Sequence, residues 1–177
     1  MNLFLRLLWI VFQSLLKPIS RDPYFKSRLS FRVMPTDCDP NLHMTNARYL
    51  SFMDLGRVDM LFRTNLREAF LKERWGPTIG SSFIRYRRAL PPFKRFDLIT
   101  DIVDHDEKWL YMEQRIEVKG ELYAIAYFKG LFRTREGNIS PEIVMRKLGR
   151  KLGSGKVTDL PLVFYQIEQA RLSSSKS

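Results

Sequence analysis

The opening run "MNLFLRLLWIVFQSLLKP" predicts a short helix: Arg6, Gln13 and Lys17 fall in one narrow arc at helical spacing, and Leu, Trp, Ile and Phe cover the rest. Pro18 to Pro23 breaks that pattern as a linker. "YFKSRLSFRV" then alternates, setting Phe25, Leu29, Phe31 and Val33 against Lys26, Arg28 and Arg32, with Ser27 out of step; this predicts a half-buried strand. A polar loop framed by Pro35 and Pro40 follows, and Thr45 or Asn46 is placed to cap the next helix. In that helix Leu50, Met53, Leu55, Val58, Leu61 and Phe62 make an apolar face wide enough to need cover. Gly56 within it predicts close approach of another backbone.

"NLREAFLKERWG" predicts a shorter helix, after which the period changes to two. Strands are expected over 79–90, 93–103, 109–118 and 122–133, separated by Pro91-Pro92, "DHDEK" and "KGE". Turns this short join successive strands into an antiparallel meander. "PEIVMRKLGRKLG" and "DLPLVFYQIEQARL" predict two C-terminal helices before a frayed tail. A sheet curled around one central helix buries that helix, so the expected class is α+β. The expected organisation is 1–22 as apolar helix and linker, 23–140 as the main domain, and 141–177 as a helical extension.

Composition narrows the setting. The chain has 177 residues, 45% apolar and 13% aromatic, enough for one packed domain. The single cysteine, Cys38, excludes an internal disulfide, and a cytoplasmic location is the default. A net charge of +11 points to nucleic acid, anionic lipid or a phosphate-bearing small molecule. No helix-turn-helix, zinc-finger or RNA-recognition pattern is present, so nucleic acid is not expected. The first helix is too short for a hydrocarbon core of about 30 Å. It fits a helix lying on a membrane surface through residues 1–17, with Lys17 and Arg21 toward anionic headgroups; docking on its own domain fits as well.

The polar loop carries the chemistry. "DCDPNLHMTN" places Asp37, Asp39, Asn41 and His43 directly before the long helix. A carboxylate there can act as base or nucleophile at a carbonyl, and the backbone N–H of Asn46 can polarise that carbonyl. Asn41 and His43 can orient water or donate to substrate. Asp37, two residues away, is expected to face the other side as a structural partner for a backbone or an arginine such as Arg57. The plain alternatives are a simple Asp-Pro turn, a capping Asn46 and a satisfied histidine. No metal or cofactor is expected: the only other histidine, His105, sits in a turn. Cys38 alternates away from Asp39 and is not expected to be a nucleophile.

Strand, Asp-x-Asp-Pro loop, long helix and meander, with Asp37, Asp39, Asn41, His43, Asn46, Tyr49, Asp54 and Arg57 as motif residues, resemble the hot-dog thioesterases. In the 4-hydroxybenzoyl-CoA thioesterase branch, the second aspartate of a similar Asp-Cys-Asp-Pro run is catalytic, which implies Asp39. Plant acyl-carrier-protein thioesterases carry Asp, Asn and His at this spacing, which implies Asp39, Asn41 and His43. The resemblance implies a hot-dog fold and an acyl-CoA or acyl-carrier-protein thioester as substrate, contacted at Asn46 and Tyr49. It also implies a homodimer whose second subunit supplies Ser81 or Ser82 of "GSSF" as a polar contact. Arg85, Arg87, Arg88, Lys94 and Arg95 are candidates for the coenzyme A phosphates, or else a surface paired with the acidic stretch 97–107. The alternative function is a non-catalytic, membrane-associated acyl-binding or scaffold protein on the same fold.

Overall fold

In the computed structural model, which describes residues 3–150, 159, 163, 164 and 166, eleven elements follow one another along the chain. They are α1 (Leu3–Leu16), β1 (Ser27–Arg32), a 3-10 turn (Pro35–Asp37), α2 (Asn46–Arg63) and α3 (Leu66–Leu71). After these come β2 (Gly76–Tyr86), β3 (Arg95–His105), β4 (Leu110–Val118), β5 (Glu121–Arg133), β6 (Asn138–Ile139) and α4 (Pro141–Lys147). The second expected C-terminal helix lies largely outside the described residues; within it, Phe164 is buried with its ring 5.7 Å from Tyr111.

All strand pairs are antiparallel, in the order β1-β3-β4-β5-β2, with β6 on the end of β5. The meander expected over four successive strands holds only for β3 to β5. β2 does not pair with β3; it lies beyond β5. Pro91 and Pro92 have no N–H to donate, so 87–94 cannot close a two-strand ladder and instead crosses to the far side of the sheet.

One face of the sheet covers α2. Leu29, Phe96, Leu98, Ile116, Ala124, Ala126 and Phe128 pack there against Phe52, Met53 and Leu55. Small residues at 124 and 126 leave room for the helix. Gly56 meets side chains rather than the expected backbone: a Cβ there would lie 2.5 Å from Thr100 Oγ1 and 2.9 Å from Gln114 Nε2. Those atoms belong to a buried polar network. Gln114 Nε2 donates to Met53 O (2.9 Å) and Thr100 Oγ1 (2.7 Å), and Arg57 donates to Gln114 Oε1 (2.7 Å). Gly56→Ala is therefore expected to lower stability by about 1 kcal/mol. Overpacking costs about 1–3 kcal/mol, partly offset by about 1 kcal/mol of helix propensity. Urea denaturation tests this, and an unchanged midpoint would refute it.

α1 lies on α2 with its polar residues turned inward. Arg6, Ile10 and Ser14 are buried, while Phe4, Leu5, Leu8, Trp9, Phe12, Leu15 and Leu16 are exposed. This reverses the orientation expected for the Arg6 arc, and the reason is partners. Arg6 pairs with Asp37, and Asp59 accepts bonds from the hydroxyls of Ser14 and Ser27, both at 2.6 Å. Ser27, the residue out of step in β1, is buried because it serves that carboxylate. Among the described residues no helix is long and apolar enough to cross a membrane.

Candidate active site

After the 3-10 turn, Cys38 and Met44 face each other in an isolated antiparallel bridge that closes a tight loop. Inside it the Asp39 N–H donates to His43 O (2.9 Å) and the Leu42 N–H to Asp39 O (3.0 Å). Leu42 takes the left-handed conformation, φ 59°, that lets the chain reverse. Asp39 Oδ1 accepts from the N–H groups of Asn41 (3.0 Å) and His43 (3.2 Å). Its own loop thus holds the carboxylate, and Oδ2 accepts no hydrogen bond among the described residues. The turn reading of Asp39 is correct for one oxygen, and the other remains for chemistry.

α2 starts immediately beyond. Thr45 occupies the cap position in extended backbone, yet no side-chain cap bond forms. The first N–H groups of a helix lack intrahelical acceptors, and the helix dipole concentrates positive partial charge there. An uncapped start therefore offers donors to an incoming oxygen.

A pocket of about 410 Å³ lies between these elements. Asp39, His43, Thr45, Asn46 and Tyr49 form one wall, and Tyr86, Arg87, Arg88 and Ala89 the other. The crossing segment supplies the second wall. It is held there by Met44 N–H donating to Leu90 O (2.9 Å), and by the N–H groups of Arg87 and Arg88 donating to Tyr123 O (2.8 and 3.1 Å). The Tyr49 hydroxyl donates to Arg88 O at 3.5 Å, and its ring meets Tyr86 edge-on with centroids 5.0 Å apart. Burial pushes the Tyr49 phenol up to about 12, so at neutral pH it is a donor. Tyr86, which donates to Asn46 O at 3.5 Å, escaped the sequence reading. The signal for it was an aromatic residue beside the Arg87-Arg88 pair.

The basic block divides. Arg88 pairs with Glu121 and lies over the Tyr123 ring (5.8 Å), whereas exposed Arg87 has no carboxylate partner among the described residues. Arg85, Lys94 and Arg95 do not line the pocket. The acidic stretch pairs with β1 instead: Asp97 with Arg28 (2.8 Å) and Asp101 with Lys26 (2.7 Å).

Asn41 gives its backbone to the loop, and its side chain is exposed outside the pocket wall. Ser81 and Ser82 sit on the edge strand β2, away from this pocket. The expected Asp37–Arg57 pairing does not form. Asp37 is bound by Arg6 through two bonds (3.1 and 2.8 Å) and has Arg48 at 3.6 Å, while Arg57 pairs with Asp54. Arg57 starts one turn too far along α2 to reach the loop, and α1 supplies the nearer cation. The Cys38 thiol donates to Met34 O (3.6 Å). Burial, then the Asp37 and Asp39 charges, push it up, away from the nucleophilic thiolate.

The family model for the thioesterase-like superfamily matches residues 33–166. Protein THEM6 of Danio rerio is 33% identical over 148 residues, covering 82% of this chain and 73% of that protein. A probable thioesterase of Saccharomyces cerevisiae is 25% identical over 87 residues, covering 48% of this chain and 37% of its own length. Among solved structures, YbaW probable thioesterase from Escherichia coli superposes with TM-score 0.64 at 19% identity, over 69% of this chain and 95% of that one. 4-Hydroxybenzoyl CoA thioesterase bound to 4-hydroxybenzoyl CoA superposes with TM-score 0.61 at 15% identity, over 70% and 97%. The fold is therefore the hot-dog fold, α2 wrapped by its antiparallel sheet, and the matched span contains both the Asp39 loop and the wall opposite it. With its family model spanning fold and pocket together, this chain belongs to the thioesterase-like superfamily.

Proposed function

We propose that the protein hydrolyses an acyl thioester of coenzyme A or acyl-carrier protein to free acid and thiol at the Asp39 pocket. One observation carries this reading: the Asp39 carboxylate, one oxygen uncommitted, shares a pocket with the uncapped start of α2. Asp39 takes a proton from water as the water oxygen bonds to the thioester carbon. The carbonyl oxygen gathers negative charge beside the first amides of α2, and Asn46 N–H donates to it. Collapse reforms the C=O bond and breaks the C–S bond, and the thiolate takes a proton. Direct attack by Asp39, forming an anhydride that water then opens, uses the same geometry. His43 and the protonated Tyr49 orient the reacting groups, and Arg87 is the cation for the carrier's phosphates. Turnover of a panel of acyl-CoA esters, followed by thiol release, tests the reading; no release from any ester would favour an acyl-binding role.

The edge strand β2 exposes Ile79, Phe83 and Tyr86, which supports a homodimer through that edge, with Ser81 and Ser82 as contacts from the second copy. The outward face of α1, seven large apolar residues with no acidic residue in the helix, supports a site on an anionic membrane surface, with Lys17 and Arg21 at its end. Leu8→Glu with Phe12→Glu is expected to reduce partition to anionic vesicles at least tenfold without changing the fold. Unchanged partition would remove the membrane from this account.

A further inference from the structure

Resting on the thioesterase reading, we infer that the substrate's hydrocarbon tail occupies a second cavity, of about 650 Å³, between α2 and the β2–β5 side of the sheet, with α1 as part of its wall. Val58, Leu61, Ile79, Met112 and Phe132 give it an apolar lining, and Phe4 reaches into it from α1. The volume falls within the about 300–1,000 Å³ of small-molecule sites.

Three observations select a tail rather than a polar ligand. The first is position. Asn46, Leu50, Asp54 and Val58 recur every fourth residue along the least buried stripe of α2. Ser51, on the cavity wall, lies five residues beyond Asn46, roughly 7 Å along the helix axis. A tail leaving the carbonyl at Asn46 along that stripe enters the cavity. The second is the state of its polar groups. Ser51 donates to Ala47 O (2.9 Å), and Asp54 pairs with Arg57. Arg57 also donates to Gln114 and lies 4.3 Å over the Phe128 ring. With these groups satisfied internally, the cavity presents no free charge to repel hydrocarbon. The third is division of labour: Arg87, the cation without a carboxylate partner, lines the Asp39 pocket and not this one. Head and tail thus have separate sites, and α1, an addition in front of β1, contributes to the tail site.

Two experiments on the full chain test this. A 16-carbon fatty acid with a terminal photoreactive diazirine is crosslinked and the labelled peptides are mapped. Label within 55–61, 77–79, 110–112 or 130–132 supports the site; label only on the outer residues of α1, or none, overturns it. This readout needs no turnover, so it stands even if no ester is hydrolysed. In parallel, KM is measured for saturated acyl-CoA esters of 4 to 16 carbons. It should fall by up to about fourfold per added methylene (about 0.8 kcal/mol) until the cavity is filled. Ile79→Trp, at a position 38% exposed, should raise KM for the 16-carbon ester at least tenfold relative to the 4-carbon ester. Val58→Phe, from the opposite wall, should act in the same direction and guards against a folding defect in the first variant. Hydrolysis with KM independent of chain length would overturn the tail site and leave the thioesterase reading intact.

Discussion

Asp39→Asn is expected to lower kcat by about 10²–10⁴-fold on every ester the protein hydrolyses, the range for loss of a positioned general base. The variant is informative because it is nearly silent structurally. An asparagine Oδ1 can still accept from the N–H groups of Asn41 and His43, at 3.0 and 3.2 Å in the wild type, so the loop should keep its shape. What disappears is the second carboxylate oxygen and its capacity to take a proton. KM should therefore stay within a few-fold, and thermal stability should not change. Steady-state kinetics together with a thermal melt separate the two roles of the residue. A kcat within threefold of wild type would remove Asp39 from the chemistry and leave it as a turn residue.

Arg6→Met should lower stability by about 3 kcal/mol, the low end of about 3–5 kcal/mol for breaking a buried ion pair. Both partners are almost wholly buried, with side chains 5% and 0% exposed. Removing Arg6 leaves Asp37 in the interior with the Met34 N–H (2.9 Å) and, more distantly, Arg48 (3.6 Å). The guanidinium also lies 4.8 Å over the Phe52 ring in the core, a contact methionine replaces only in part. For a chain of this size the loss corresponds to a Tm lower by roughly 6–12 °C. Ser14→Ala, which removes one of two hydroxyls from buried Asp59, should cost only about 1 kcal/mol. Equal melting shifts for the two variants would mean that the Arg6–Asp37 pair is not the principal tie between α1 and the domain. Because Asp37 O also accepts the Thr45 N–H (3.0 Å), loosening α1 should disturb the start of α2 as well.

Much of the candidate site was legible because it is local. Asp39, His43, Asn46 and Tyr49 lie within eleven residues, in a loop running into a helix, and all four line one pocket. Loop closure and helix start are decided by nearby hydrogen bonds, which residue type and spacing reveal. Asn41 was misjudged for a related reason: spacing marks which residues share a loop, whereas the direction of each side chain depends on the Leu42 left-handed turn. Tyr86 and the approach of 87–89 were not legible, because their place depends on β2 pairing with β5 from more than forty residues away.

The charged residues mark the same divide. The alternation in β1, the wide face of α2 and the β3–β5 meander follow from the period of apolar residues, and burial of those faces needs little knowledge of what covers them. The sequence alone thus determined an α+β domain around one helix, with its polar loop at that helix's start. Only the tertiary structure decided that Arg6 turns inward to Asp37 and that α1 leaves its apolar side outside. It likewise decided that β2 crosses to the far edge to complete the pocket. Each of these rests on pairing between segments distant in sequence. A buried charge goes where its counter-charge is, and an edge strand goes where a ladder is open; neither is written in the residues adjacent to it.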